Sequence, residues 1–242
     1  MVSVVVVLLA ILASNGLFAW RMLHLLRIEG RTRLQTLRQN QEQEIIADIR
    51  GRVQTACLML RYLADHSPSV EEAQHAAVEA ISGIQFGEDN YIWIHRLDPA
   101  DEESALMLVH PADEMRGHEL RGLIDLDRVT NIYHNGEIVP KTDPRVSFIK
   151  PIDLFATFNR LALAEGSGLV TYYWPNVKQG KTSSEGYRKI AYIQYFPDWN
   201  WVVGAGAYAD HIDRAVKQRT VELAKEQASF VWKMGGTLLL YT

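Results

Sequence analysis

The chain has 242 residues, of which 48% are hydrophobic, and its formal net charge at pH 7 is -4. This length supports one globular domain with helical extensions, and the absence of excess positive charge argues against a nucleic-acid partner. The single cysteine, Cys57, excludes an intrachain disulfide and lies in an apolar stretch typical of core packing.

The two ends of the chain are its most apolar parts. Residues 1–20 contain no charged side chain, and about 20 apolar residues are enough to cross a bilayer as a helix. We predict a transmembrane anchor here; the alternative is a secretory signal peptide, although a basic start and a small-x-small cleavage site are not clear. Residues 230–242 predict the start of a second, truncated span, with Trp232 and Lys233 at its interface.

The charges beside the first span favour the opposite topology from the one we predict. Four arginines (Arg21, Arg27, Arg31 and Arg33) follow it, and the positive-inside rule alone would keep the large domain in the cytoplasm. That rule is weak for long translocated domains. The resemblance described below leads us to expect the domain outside the cytoplasm, with the chain held in the cell inner membrane.

A long helix is predicted for residues 21–66. Apolar residues recur every three or four positions along its second half: Ile45, Ile49, Val53, Cys57, Leu60 and Leu63. Such a stripe marks an amphipathic helix that packs on its own domain or on a second copy. We expect core packing for the lower half of this stalk and homodimer contacts nearer the membrane.

The domain that follows, residues 67–213, alternates helices, strands and one long loop. Ser69 and Glu72 form a capping box that begins a second helix ending near residue 81. Residues 91–95 and 105–110 predict a β-hairpin, and residues 120–151 are rich in turn formers. A third helix is predicted at 151–165, three strands at 169–174, 188–196 and 201–207, and a final helix from 208 to 229, of which 214–229 form the exit helix.

The predicted elements therefore comprise five strands flanked by long helices, with few strand-helix-strand repeats. This order favours an α+β fold with a PAS-like, five-stranded antiparallel sheet. The sheet would be attached to a helical stalk and flanked by transmembrane segments.

Six sequence blocks, in this order, carry a resemblance to a known family: YIWI at 91–94, MLVHP at 107–111, GHEL at 117–120, GLVTYYWP at 168–175, KIAY at 189–192 and FPDWNWVVGAGAY at 196–208. Together they resemble the single Cache domain family, the extracytoplasmic sensors of bacterial chemoreceptors (methyl-accepting chemotaxis proteins) and sensor kinases. Residues 126–150 depart from the short connection common in that family.

The resemblance implies a non-enzymatic sensor whose pocket, on one face of the sheet, binds a short-chain carboxylate such as acetate, propionate, pyruvate or lactate. Lys189 matches the lysine of the family before its penultimate strand and is the first candidate for binding the carboxylate. His110, at the end of a strand, is the second; without the resemblance it would be a structural histidine. Charge-assisted hydrogen bonds of this kind contribute about 1.5 to 3 kcal/mol each.

Aromatic residues provide candidate walls for the pocket. Tyr172 and Trp174 share one face of their strand, and Trp93 shares a face with Tyr91 and His95. Trp93 and Trp174 could equally be core residues. Tyr192 is also a candidate, but it lies three residues from Lys189, so an unbulged strand directs only one of the two into the pocket.

Other functional classes find less support in the sequence. The histidines lack HxxH or HExxH spacing, so no metal site is predicted, and no nucleophile elbow, phosphate loop, kinase or cyclase signature is present. No cofactor is expected. Two alternatives remain: a haem or flavin sensor, and a ligand-free ectodomain that dimerises or docks a partner.

Overall fold

The structure is a computed structural model that describes residues 2–87, 89–135, 137–178 and 181–239. Its helices are α1 (Val2–His66), α2 (Val70–Ser82), α3 (Leu154–Glu165) and α4 (Asp210–Leu239). Its strands are β1 (Gln85–Phe86), β2 (Asn90–Asp98), β3 (Asp101–Val109), β4 (Asn131–His134), β5 (Glu137–Pro140), β6 (Ser167–Lys178), β7 (Lys181–Phe196) and β8 (Trp201–Tyr208).

The chain divides into two compact units. One, Glu42–Asp213, contains the sheet together with α2, α3 and the adjoining parts of α1 and α4. The other consists of helical residues at the two ends of the chain, described for 2–41 and 214–239, where the α1 residue Gly30 lies against Leu223 of α4. In the described residues, no helix combines the length and hydropathy needed to span a bilayer, so the anchor predicted at 1–20 is not confirmed. Residues 240–242 of the second predicted span lie outside the described residues.

All five predicted strands are present, and they form the antiparallel order β3-β2-β8-β7-β6. The prediction of a five-stranded, purely antiparallel sheet was nevertheless wrong. The sheet has eight strands among the described residues, because β1 pairs with β2 and a β4–β5 hairpin joins β7. The β4–β7 pair is parallel, so the sheet is mixed.

The β4–β5 hairpin lies where the sequence suggested only a loop. Asn135 adopts a positive φ of 49°, as type I′ hairpin turns require, and Gly136 follows it in sequence. A small second core forms beneath the hairpin from Val129, Ile132, Val139 and Val146. The segment that departs from the family pattern is therefore ordered around its own apolar cluster.

Local sequence signals explain where α2 and α3 begin and end. The Ser69 side chain accepts a hydrogen bond from the Glu72 N–H, which confirms the predicted cap of α2. Asp153 caps α3 in the same way through the Ala156 N–H, so α3 begins a few residues after the predicted Pro151. Gly166 ends α3 with a φ of 72°, a left-handed conformation that glycine adopts readily.

Helices cover both faces of the sheet. On one face, the lower half of α1 buries Ile49, Val53 and Leu60, as the apolar stripe predicted, and Arg50 lies over the Tyr192 ring. On the other face, α3 inserts Phe155 and Phe158 into the main core. The central strand β8 is buried along its whole length for this reason.

Asn159 fastens α3 to the sheet. Its Nδ2 group donates to the backbone oxygens of Glu102 and Ser104 at 2.8 and 2.9 Å. Its Oδ1 atom therefore accepts, and it lies 2.9 Å from the Nε2 atom of His95. One fully buried amide thus joins α3 to both strands of the β2–β3 hairpin.

We expect Asn159→Asp to destabilise the Glu42–Asp213 unit by several kcal/mol, because it removes two donated hydrogen bonds and buries a carboxylate beside two carbonyl oxygens. Urea unfolding measures the change in the free energy of unfolding. The matched control is Arg160→Ala, the exposed neighbour on α3, which should change it by less than about 0.5 kcal/mol. Equal stabilities of the two variants would contradict the assigned role of Asn159.

Candidate ligand-binding site

Lys189 lies at the centre of the sheet face that α3 covers. It pairs across the strands with Tyr172 of β6 and Tyr208 of β8, and its side chain is fully buried. Its Nζ atom lies 3.6 Å from the centre of the Tyr91 ring and 4.7 Å from that of Tyr208. The amine is therefore enclosed by aromatic rings.

A glycine in β8 makes room for this lysine. A Cβ atom added at Gly206 would lie 2.6 Å from the Lys189 Cε atom, so a larger residue would displace the lysine stem. Gly204 has the same relation to the indole of Trp93, because a Cβ atom added there would lie only 2.2 Å from the ring. The Gly204-Ala205-Gly206 sequence thus seats both side chains on the same face of the sheet.

The Lys189 amine has no hydrogen-bond partner in the described part of the chain. Burial lowers the pKa of this amine well below the ordinary value. A buried polar group without a partner costs about 1–3 kcal/mol, and more when it is charged. The position is therefore poor for stability and well suited to receiving an anion.

Two indole N–H groups on the same face share this property. The Nε1 atoms of Trp93 and Trp174 are buried, and neither has a hydrogen-bond partner in the part of the chain described. Burial raises the pKa of Tyr91, and the nearby side chains of Trp174 and Tyr208 reduce that rise. The Trp174 contact nevertheless falls short of hydrogen-bond geometry, so its donor remains available.

His110 orients the hydroxyl of Tyr91. The Ala112 N–H donates to His110 Nδ1 at 3.0 Å, so the ring proton is on Nε2, which lies 3.1 Å from the Tyr91 oxygen. Burial and the nearby Lys189 lower the pKa of His110 to about 3, so the ring is neutral. Because His110 donates to Tyr91, the Tyr91 hydroxyl proton can be donated onward. His110 is therefore linked to the Lys189 amine through Tyr91.

The structure brings together five of the six predicted site residues. Four of them belong to or border the main core on the α3 face: Trp93, Tyr172, Trp174 and Lys189. His110 joins them through Tyr91, by an edge-to-face ring contact at 4.9 Å. Tyr192 is not part of this group, because strand alternation directs it to the opposite face beneath Arg50.

Two residues of the site were not predicted from the sequence as site residues. Tyr91 lies beneath the amine, and Tyr208 flanks it while donating its hydroxyl to the Pro175 oxygen at 2.7 Å. The two-residue strand period already places Tyr91 on the face of Trp93. Tyr208 required the cross-strand register of the β7–β8 hairpin, in which it lies opposite Lys189.

An open surface groove of about 470 Å³ lies elsewhere, on the α1 side of the sheet, and its lining includes Gly51, Arg52 and Ile92. None of its described lining residues carries an unpartnered buried nitrogen or oxygen atom. A cluster of unpartnered donors is the stronger sign of a specific site, because buried polar groups are normally satisfied. The Lys189 face is therefore the candidate site.

Comparison with known families identifies the domain. The family model described as Cache domain matches residues 61–222. The chain belongs to the Cache domain family. The match includes every residue of the site described above, and the predicted Cache sensor domain is confirmed.

Similar proteins give the context in which this Cache domain occurs. The chain is 32% identical to the methyl-accepting chemotaxis protein McpP of Pseudomonas putida over 168 residues, or 66% of this chain and 24% of McpP. It is 24% identical to the sensor histidine kinase MctS of Rhizobium johnstonii over 212 residues, or 87% of this chain and 38% of MctS. The chain thus spans well under half the length of either relative.

A solved structure shares the fold. It is a Cache chemosensory domain studied for carboxylic acid recognition, with a TM-score of 0.50 and 24% identity, covering 70% of this chain and 97% of that one. The likeness supports an α+β Cache-like fold with a long N-terminal helix.

If Lys189 is retained for binding and not for stability, Lys189→Met should raise the free energy of unfolding by about 1–3 kcal/mol at neutral pH. Burial lowers the pKa of Lys189 in the folded chain, so the unfolded chain binds more protons and stability falls as pH falls. The gain of the variant should therefore grow as the pH falls below about 10.5, until the pH passes the lowered pKa of Lys189 in the folded chain.

Thermal and urea unfolding at several pH values measure this gain. Lys150→Met, at an exposed lysine, is the matched control and should leave stability within about 0.5 kcal/mol of wild type at every pH. Destabilisation by Lys189→Met would indicate that the lysine supports the fold.

Proposed function

We propose that this Cache domain is an extracytoplasmic sensor that binds a small organic anion at Lys189. The observation that carries the proposal is a set of buried donors on one sheet face that have no hydrogen-bond partner among the described residues: the Lys189 amine and the indole N–H groups of Trp93 and Trp174. A carboxylate is acceptor-only and has about four lone-pair sites. It would satisfy these donors together, and the Tyr91 hydroxyl oriented by His110 could supply another.

The surroundings favour a short carboxylate. Aromatic rings enclose the amine, and Phe158 of α3 contacts both Trp93 and Tyr172, at centroid distances of 5.4 and 5.7 Å. Such walls fit a compact ligand with one charged end and a small apolar end. Acetate, propionate, pyruvate and lactate have this form, and the similar Cache chemosensory domain was studied for carboxylic acid recognition.

The relatives suggest where such a sensor acts. McpP is a chemotaxis protein and MctS a sensor kinase, so we propose a periplasmic domain of an inner-membrane receptor that regulates an output module. Ligand binding would shift α4 against α1 by about 1–2 Å, a movement known to carry signals between packed helices. We also propose a homodimer through the part of α1 nearer the membrane, where Leu25 and Ile28 are exposed.

The direct test is a thermal-shift and calorimetric screen of the 242-residue chain against acetate, propionate, pyruvate, lactate, amino acids, amines and purines. A ligand at 100 times its dissociation constant adds about 2.7 kcal/mol, which corresponds to several degrees in melting temperature. We expect carboxylates to raise the melting temperature, Lys189→Met to abolish the shift and Lys150→Met to preserve it. If no compound shifts the wild-type chain, the ligand-free dimerisation or docking function becomes the better assignment.

Binding should also take up a proton. Burial lowers the pKa of Lys189 in the free domain, and a bound carboxylate would raise that pKa again. At any pH between these two pKa values, the anion would therefore bind together with a proton. Over that range, affinity should fall about tenfold per pH unit as pH rises. His110, with its pKa lowered to about 3, and the buried tyrosines, with raised pKa values, keep their charge states there.

Titration calorimetry with propionate at about pH 9, in borate and in Tris, measures this uptake because the two buffers differ in ionisation enthalpy. We expect close to one proton per propionate. Uptake near zero would contradict a change in the protonation of Lys189 on binding.

A further inference from the structure

Arg188, the residue before Lys189, connects β7 to both α1 and α4. Strand alternation directs the two side chains to opposite faces, so the arginine points away from the site. Its Nη1 atom lies 2.9 Å from a Glu42 carboxylate oxygen of α1, and its Nη2 atom lies 3.8 Å from an Asp213 oxygen of α4. All three residues belong to the Glu42–Asp213 unit, and all three side chains are largely buried.

The guanidinium uses only part of its donor capacity. Its Nε and Nη2 atoms are buried without a hydrogen-bond partner in the described structure. The contact with Glu42 has hydrogen-bond length, whereas the one with Asp213 exceeds it by about 1 Å. A shift of about 1 Å between β7 and α4 would therefore convert the second ion pair into a charge-assisted hydrogen bond.

The ligand site and this ion pair are separated by very few bonds. Lys189 is bonded to Arg188, and its cross-strand partner Tyr208 lies two residues before the start of α4. The backbone oxygen of Arg188 also accepts a 2.8 Å hydrogen bond from the N–H of Ala209. Movement of Lys189 or Tyr208 around a ligand would thus reach the first turn of α4 through rigid, hydrogen-bonded backbone.

We propose that Arg188 is the positioning residue that couples ligand binding at Lys189 to α4, through a hydrogen bond with Asp213 that strengthens when the ligand binds. This inference rests on the proposed function, because it requires that the site binds an anion. Because coupling between two sites is reciprocal, an Arg188–Asp213 pair that strengthens on binding must contribute to ligand affinity, although neither residue touches the ligand.

A double-mutant cycle on the affinity for propionate tests the coupling. In the 242-residue chain, Arg188→Gln and Asp213→Asn should each weaken binding about fivefold or more, and the double variant should weaken it no further than the stronger single variant. Arg188→Lys, which keeps the charge but not the planar fork, should fall between wild type and Arg188→Gln and provides a second variant if Arg188→Gln does not fold.

The matched control is the ion pair of Arg61 and Asp198, which also joins α1 to the sheet region of the same unit. Arg61→Gln and Asp198→Asn should leave the dissociation constant for propionate within twofold of wild type. An unchanged dissociation constant in Arg188→Gln, or fully additive effects of Arg188→Gln and Asp213→Asn, would overturn the coupling. When wild type binds propionate and Lys189→Met does not, such an outcome overturns the role of Arg188 and leaves the proposed function intact. If wild type binds no carboxylate, the proposed function itself fails.

Discussion

The rest of this domain depends on one constraint: a buried lysine amine, Lys189, with no hydrogen-bonded counter-charge in the described part of the chain. Desolvation disfavours the charged form of Lys189, and no acidic side chain hydrogen-bonds it among the described residues. The surrounding fold must supply the stability that this position lacks. It does so through a large apolar core on the same face and through polar groups, such as Asn159, that are fully hydrogen-bonded. Satisfied and unsatisfied polar atoms are adjacent within this core, because His95 pairs with Asn159 through Nε2 while its buried Nδ1 atom has no partner among the described residues.

The small residues of β8 explain how one sheet face can hold so many large side chains. Trp93 lies over Gly204, and the Lys189 stem lies over Gly206, so two bulky groups from neighbouring strands occupy space that side chains of β8 would otherwise fill. Glycine in a strand interior usually weakens the strand. Here β8 is central and buried on both faces, and its neighbours β2 and β7 compensate by pairing along almost its full length.

The sequence was informative where the signal was local and less so where pairing was distant. Within single strands, alternation predicted that Tyr172 shares a face with Trp174, and it correctly separated Tyr192 from Lys189. That Trp93 lies on the same sheet face as these residues required the pairing of β2, β8, β7 and β6. The β4–β5 hairpin had a local signal in Asn135-Gly136 that the turn-rich surroundings obscured. The parallel contact between β4 and β7 had none, because it joins Asn131 to Glu185 across more than fifty residues.

Adjacent positions in a strand point to opposite faces, and β7 makes use of this at residues 188 and 189. The Lys189 amine faces aromatic rings and has no hydrogen-bonded carboxylate among the described residues. The Arg188 guanidinium faces two carboxylates on two helices, only one of them at hydrogen-bond distance. In the proposed coupling, a small displacement of this backbone segment would change the electrostatics on both faces of the sheet. If Lys189 binds an anion as we propose, this pair of residues would connect the binding site to α4 with little rearrangement of the close-packed core.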